Sequence, residues 1–223
     1  MTLVIAVDGP AGSGKSSAAK GAARALGLRY LDTGAMYRAM TWWMLQAGVP
    51  VDDPAAVAAA APTPVIEVGA DPDAPAVFVD GVDVSAPIRT RQVSNAVSAV
   101  ASVPAVRRRL VALQREIIGA EATGGIVVEG RDIGTVVAPD AGLKIFLTAS
   151  EQVRARRRAR DMVADPAVTV DITMAEQARR DRLDSSRTDS PLAKATDAIE
   201  IDSTELGLEE VIQLIVRLAK ERQ

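Results

Sequence analysis

Residues 9–16 read Gly9-Pro10-Ala11-Gly12-Ser13-Gly14-Lys15-Ser16, a complete G-x-x-x-x-G-K-S pattern. The apolar, β-branched run Leu3-Val4-Ile5-Ala6-Val7 precedes it, and an alanine-rich stretch over 16–26 follows. Strand, glycine loop and helix in that order are the context of a phosphate loop in an α/β fold. The glycines let backbone N–H groups point at phosphate oxygens where a side chain would block the approach. The helix N-terminus adds partial positive charge. Lys15 has the reach for β- and γ-phosphates, and the Ser16 hydroxyl can ligate Mg²⁺. The alternative is a glycine turn without a ligand, which the complete pattern and its flanks disfavour.

The 223 residues suit one domain with a small insert. Strand and helix signals alternate, which predicts a three-layer α/β fold with a central parallel sheet flanked by helices. Strands are expected at 29–31, 126–128, 144–147 and 198–201. Helices are expected over about 35–47, from Asp53 to Ala61, from Pro104 to about Ile118, and over 208–220. Ser150 is expected to cap one basic helix, and Thr173 the next, which runs to about Ser186. The texture changes at Pro62. Prolines and glycines there punctuate three short apolar runs, with Asp80-Gly81 as a tight-turn signal, and a helix over 88–101 follows. This predicts a small α+β insert over 62–103.

Composition narrows the chemistry. The chain has no cysteine, so neither a disulfide nor a thiolate site is available. It has no histidine, the commonest general base and metal ligand. Carboxylates, arginines, lysines, hydroxyls and backbone must do the work. A net charge of −3 argues against bulk nucleic-acid binding. No apolar run approaches membrane-spanning length, and no signal-peptide pattern opens the chain. A cytoplasmic protein without membrane partners is expected.

The loop alone does not name a reaction. A GTPase should carry an N/T-K-x-D motif, and Lys194-Ala195-Thr196-Asp197 has the wrong spacing. A motor ATPase needs more chain. Arginines instead recur at turn-rich positions, among them Arg38, Arg107, Arg131, Arg180 and Arg187. Forked guanidiniums grip phosphate oxygens in a bidentate way. Any one of them alone reads equally well as a solvated helix face.

Further strings carry a resemblance. Leu31-Asp32-Thr33-Gly34-Ala35-Met36-Tyr37-Arg38, Val84-Ser85-Ala86-Pro87-Ile88-Arg89-Thr90 and Glu129-Gly130-Arg131-Asp132-Ile133-Gly134-Thr135-Val136-Val137 are three of them. Arg180-Asp181-Arg182-Leu183-Asp184-Ser185-Ser186-Arg187 is a fourth. Together with the loop they resemble the bacterial cytidylate kinase family from the first strand to the last helix. The resemblance implies ATP-dependent phosphorylation of CMP and dCMP in pyrimidine metabolism, with Mg²⁺. It implies one kinase domain over 1–223, a monophosphate-binding insert matching 62–103 and a helical lid matching 153–170. It implies ATP binding by Gly9, Pro10, Ala11, Gly12, Ser13, Gly14, Lys15, Ser16 and Ser17, with Ser16 on the metal. Arg38, Arg131 and Arg187 resemble the grip on the CMP phosphate. Thr33, Arg107 and Asp132 resemble the cytosine-reading groups, and Ser98, Arg180 and Asp184 the ribose set. Arg180 and Asp184 also read as a plain helix ion pair.

The run Arg154-Ala155-Arg156-Arg157-Arg158-Ala159-Arg160 suggests an arginine-rich lid over ATP phosphates rather than an RNA-binding arm, because the chain is acidic. Arg154, Arg157 and Arg158 are the expected charge stabilisers. Lys15, Arg131, Arg157 and Arg187 are the expected catalytic set. No clear apolar-run-then-Asp element exists, and Val128-Glu129 comes closest. A monomer is expected. A shikimate- or gluconate-type kinase is the rival enzyme, and it should lack the strand-rich insert. A non-catalytic nucleotide-binding regulator is the rival of another class.

Overall fold

The computed structural model describes residues 3–120, 124–161 and 169–222. In chain order it runs through β1 (Leu3–Asp8), α1 (Lys15–Leu26), β2 (Arg29–Asp32), α2 (Thr33–Gln46) and α3 (Pro54–Ala60). Next come β3 (Ile66–Val68), β4 (Val77–Val79), β5 (Val82–Asp83), α4 (Arg91–Ser102) and α5 (Pro104–Gly119). The chain continues through β6 (Gly125–Gly130), β7 (Leu143–Thr148), α6 (Glu151–Asp161), α7 (Val170–Ser185), β8 (Ile199–Asp202) and α8 (Leu208–Lys220).

Five strands form one parallel sheet in the order β2-β6-β1-β7-β8. Side chains alternate between its faces. Ile5 and Val7 of β1 and Val127 of β6 join Ile145 and Leu147 beneath α1 and α8. Ala6, Ile126 and Val128 face the other way, onto Met36 and Met40 of α2 and Leu110 of α5. The central strands are therefore apolar on both faces, as expected for a covered parallel sheet. Each fully buried Ile or Leu contributes about 2 kcal/mol by removal from water. Helix α1 presents Ala18, Ala19, Ala22 and Ala23 to the sheet. Small side chains there bring the helix that carries the loop close to β1.

The three runs after Pro62 form a separate antiparallel sheet, β3-β4-β5. Asp80 and Gly81 both take positive φ, 51° and 80°, which a tight hairpin turn requires. The helix expected over 88–101 is broken. Pro87–Arg89 makes a 3₁₀ turn, and α4 starts anew because the Thr90 hydroxyl accepts from Val93 N at 3.5 Å. Thr169, not Thr173, caps α7, accepting from Ile172 N at 3.2 Å. Thr173 lies a turn inside and returns its hydroxyl to Thr169 O at 2.8 Å. Residues 162–168 of the expected lid lie outside the described residues. Among the described residues no helix is long and apolar enough to cross a membrane.

Candidate active site

Loops at the C-terminal ends of β1, β2 and β6, with helices α4 to α7, enclose a cavity of about 480 Å³. Strand β1 delivers the glycine loop. Gly12 and Gly14 take φ 76° and 88°, which glycine adopts without strain. A Cβ on Gly12 would overlap Gln177 Nε2 and meet Arg154 O at 3.0 Å. Lys15 is buried, and its ammonium donates to Pro10 O at 2.7 Å. Burial and Arg131 push its pKa down, and Glu129 pulls it back.

Glu129 is the penultimate residue of β6, beside the loop. The Ser16 hydroxyl donates to its Oε2 at 3.0 Å, and the Tyr30 hydroxyl donates to Oε1. Burial raises the pKa of Glu129, while Lys15 and these two hydroxyls lower it. Its backbone carbonyl accepts from Thr33 Oγ1 at 2.7 Å. The resemblance gave Glu129 no part, although its position at a strand end beside the loop was the available signal.

The expected acceptor residues converge on the opposite wall. Arg107 Nη2 pairs with Asp132 Oδ2, and both are buried. Arg107 also lies over the Tyr37 ring, 5.4 Å from its centroid. Burial raises the pKa of Asp132, while Arg107 and Arg187 oppose the rise. Asp184 is buried and accepts from Arg131 Nε at 3.1 Å, from Arg187 Nη2, and from Ser98 Oγ at 3.4 Å. The simple i,i+4 pair with Arg180 is not the one formed. Burial and Arg131 lower the pKa of Arg180 to about 10, so its guanidinium stays charged at neutral pH. Arg38 donates to Ile88 O at 3.1 Å and Ser94 Oγ at 2.8 Å, which ties α2 to the second sheet's side of the cavity.

The lid arginines divide. Arg157 lines the cavity and donates to Ser13 O at 3.3 Å and Ser203 Oγ at 2.9 Å. Arg158 also lines it, in the field of Arg38 and Arg180. Arg154 stands behind the loop, bonded to Ala11 O at 2.8 Å and to Asp181. Gly9 and Pro10 likewise stand behind the lining, while Ser17 is part of it.

Asp8, at the end of β1, had no sequence assignment. Its Oδ1 accepts from Ile133 N at 2.8 Å and its Oδ2 from Gly134 N at 2.7 Å. These donors open a single π turn, Ile133–Val137, directly after Arg131-Asp132. Asp8 therefore ties the strand leading into the phosphate loop to the segment that follows Arg131 and Asp132. Burial lifts its pKa from 3.8 to about 6, against the two N–H groups. A carboxyl with a raised folded-state pKa holds its proton more tightly in the folded chain. Its contribution to stability is greatest below pH 4 and is lost as pH rises to about 6. Wild type should lose on the order of 3 kcal/mol relative to Asp8→Asn between pH 4 and pH 7. Denaturant unfolding of both proteins across that range tests this, and parallel pH profiles would refute it.

The family model described as cytidylate kinase matches residues 5–221. A cytidylate kinase from Streptomyces griseus subsp. griseus is 55% identical over 221 residues, covering 98% of this chain and 93% of that protein. One from Mycobacterium avium (strain 104) is 52% identical over 221 residues, covering 99% of this chain and 96% of that protein. The solved structure of an uncharacterized protein from Eubacterium ventriosum ATCC 27560 covers 99% of both chains at a TM-score of 0.54 and 11% identity, a likeness of fold. A match from the first strand to the last helix, held at more than half of all positions by two such relatives, means that the chain belongs to the cytidylate kinase family.

Proposed function

We propose that this chain transfers the γ-phosphoryl group of ATP to CMP, and to dCMP, giving ADP and the diphosphate in pyrimidine metabolism in the cytoplasm. One observation carries the reading. A single cavity is lined on one side by the phosphate loop and on the other by the Arg107–Asp132 and Arg131–Asp184–Arg187 clusters. All these groups come from one chain, which suits a monomer. A release assay for ADP across the common monophosphates, with ATP and Mg²⁺, tests the proposal. Turnover on AMP or GMP but not CMP would overturn it.

Phosphoryl transfer asks for position and charge more than for a proton acceptor. The backbone N–H groups of the loop and Lys15 hold the donor phosphates. Arg157 and Arg158 approach from α6, and Arg131 and Arg187 from the acceptor wall, so developing negative charge meets fixed guanidiniums. The Ser16 hydroxyl and the adjacent Glu129 carboxylate are hard oxygen groups that fit Mg²⁺. Ser16 would hold the ion with phosphate oxygens and water completing its shell. Bound there, Mg²⁺ supplies neutralisation of phosphate charge. Closure of the 153–170 segment as a lid would exclude water, and the 62–103 segment would carry the acceptor.

On the acceptor side, Arg38, Arg131 and Arg187 take the CMP phosphate, and Ser98, Arg180 and Asp184 face the ribose. Thr33, Arg107 and Asp132 read the base. Cytosine offers an amino donor at N4 and acceptors at N3 and O2, matching a carboxylate and a guanidinium. Uracil reverses that donor and leaves a buried acceptor unpaired, at a cost of about 1–3 kcal/mol. Asp132→Ala should therefore lower kcat/KM for CMP and shrink the CMP-to-UMP preference by roughly 10- to 100-fold. Parallel kinetics on both nucleotides check this, and an unchanged ratio would remove Asp132 from base reading.

A further inference from the structure

Asp181 and Arg154 sit outside the clusters that face the two nucleotides, yet both are bonded to the crest of the phosphate loop. Asp181 Oδ1 accepts from Ala11 N at 3.0 Å, and Arg154 Nη1 donates to Ala11 O at 2.8 Å. Arg154 and Asp181 are paired with each other through Asp181 Oδ2. One residue of the loop is thus gripped at both backbone polar groups by an ion pair spanning α6 and α7. Arg154 is 6% exposed, and Gln177 Nε2, a turn before Asp181 on α7, donates to Arg154 O at 3.3 Å. One turn after Arg154, on the same face of α6, Arg157 Nη1 reaches Ser13 O at 3.3 Å.

The peptides of this loop are trans and planar. The C=O of one residue and the N–H of the next therefore lie in a shared plane and point in opposite directions. Holding Ala11 O outward turns the N–H of Gly12 inward, and holding Ser13 O outward does the same for Gly14. Gly12 and Gly14 both take positive φ and, as glycines, have the widest conformational freedom. Among the described residues, no protein group accepts a hydrogen bond from the N–H of Gly12, Ser13 or Gly14. Without an outside hold these peptide planes would sample many orientations, and each lost orientation would have to be repaid on binding.

We propose that Asp181 is a positioning residue. With Arg154 it braces the phosphate loop from outside: its bond at Ala11 N holds the Pro10 carbonyl toward Lys15, and the Arg154 it pairs with turns the Gly12 N–H toward the donor phosphates, so Arg154 acts through this brace rather than by touching phosphate. The proposal rests on the reading of the loop as the ATP site and not on the identity of the acceptor. Asp181, on α7, also joins α6 to the loop, because the same carboxylate pairs with Arg154 and accepts from Ala11 N.

The test uses Asp181→Ala, Asp181→Asn, Arg154→Ala and the Asp181→Ala/Arg154→Ala double variant. ADP binding is measured by calorimetry without acceptor, together with KM for ATP, KM for CMP and the melting temperature. Asp181→Ala should weaken ADP and raise KM for ATP by 10- to 100-fold, with KM for CMP within twofold. Asp181→Asn keeps an acceptor for Ala11 N and should recover part of the loss. The double variant should be no worse than the poorer single one, since both break one brace. Unchanged ADP affinity in Asp181→Ala overturns the proposal, including the case of a lower melting temperature alone. So do additive losses in the double variant, which would make Arg154 a direct phosphate ligand. Should Asp181→Ala fail to fold, Asp181→Asn decides: normal ADP affinity there overturns it, and an intermediate loss upholds it. A wild type that binds ADP but ignores CMP would refute the acceptor assignment and leave this test intact.

Discussion

Lys15→Met should cut turnover by on the order of 10³-fold while the fold persists. The ammonium is buried beside Pro10 O and Ser13 Oγ, at 2.7 and 3.5 Å, already at the crest of the loop. A charge held ready in a dry site costs no reorganisation when negative charge builds on the transferring group. Loss of one such preorganised group costs about 10²–10³-fold, and loss of a dedicated cation up to about 10⁵-fold. Methionine matches the lysine stem in length and shape. It also removes a cation whose ionised form burial and Arg131 disfavour, so folding should not suffer. Steady-state kinetics with a melting curve separate the two effects. A variant with near-normal kcat would remove Lys15 from the reaction.

Asp184→Ala should produce the largest loss of stability of any site variant. Its carboxylate is bonded by Arg131, Arg187 and Ser98, with Arg180 close in its field and Arg107 in that of Arg187. The side chains of Arg187 and Asp184 are only 7% and 4% exposed. Removing the one carboxylate strands buried cations against each other. Breaking a buried pair in this way costs about 3–5 kcal/mol. For a chain of this size that lowers Tm by roughly 6–20 °C. KM for CMP should rise with little change in KM for ATP, since the loop is built from other elements. A Tm within 2 °C of wild type, measured by calorimetry, would contradict this account.

Much of the architecture was legible because its physics is local. The runs at 3–7, 126–128 and 144–147 are β-branched and apolar, which suits strands covered on both faces. Asp80-Gly81 marked its hairpin because positive φ at two successive residues is a narrow chemical requirement. The breaks came where one side chain decides between neighbouring alternatives. Thr90 caps α4 and divides a run whose periodicity reads as one helix. Thr169 caps α7 because its hydroxyl meets Ile172 N, and Thr173 has the same chemistry a turn too late.

The site divides in the same manner. The resemblance marked Lys15, Ser16, Arg107, Arg131, Asp132, Asp184 and Arg187, and all of them line one cavity. It assigned no role to Asp8, Tyr30, Gln177 or Asp181, because each is bonded to backbone or side-chain groups distant in sequence. Asp181 sits 170 residues from Ala11 in sequence. On a helix, a charged residue beside arginines reads as a solvated face until its partner is known. The arginine run 154–160 illustrates the limit from the other side. Its composition suggested contact with phosphates but no division of labour. Only packing turns Arg154 toward Ala11 and Asp181 while Arg157 and Arg158 face the cavity.

The sequence by itself determined that a phosphate loop joins a buried strand to a helix, that a strand-rich segment interrupts the core, and that no histidine or cysteine is available for chemistry. Those are properties of neighbours along the chain, where backbone preference and side-chain type suffice. The tertiary structure decided which carboxylate meets which arginine and which backbone groups are held from outside. Such pairings depend on the parallel order β2-β6-β1-β7-β8, which brings the ends of β1 and β6 side by side, and on α7 crossing the loop. Buried charges tens of residues apart in the chain, such as Arg107 with Asp132 and Arg131 with Asp184, find partners only through that geometry, and their pairing energy exists only once water has been excluded.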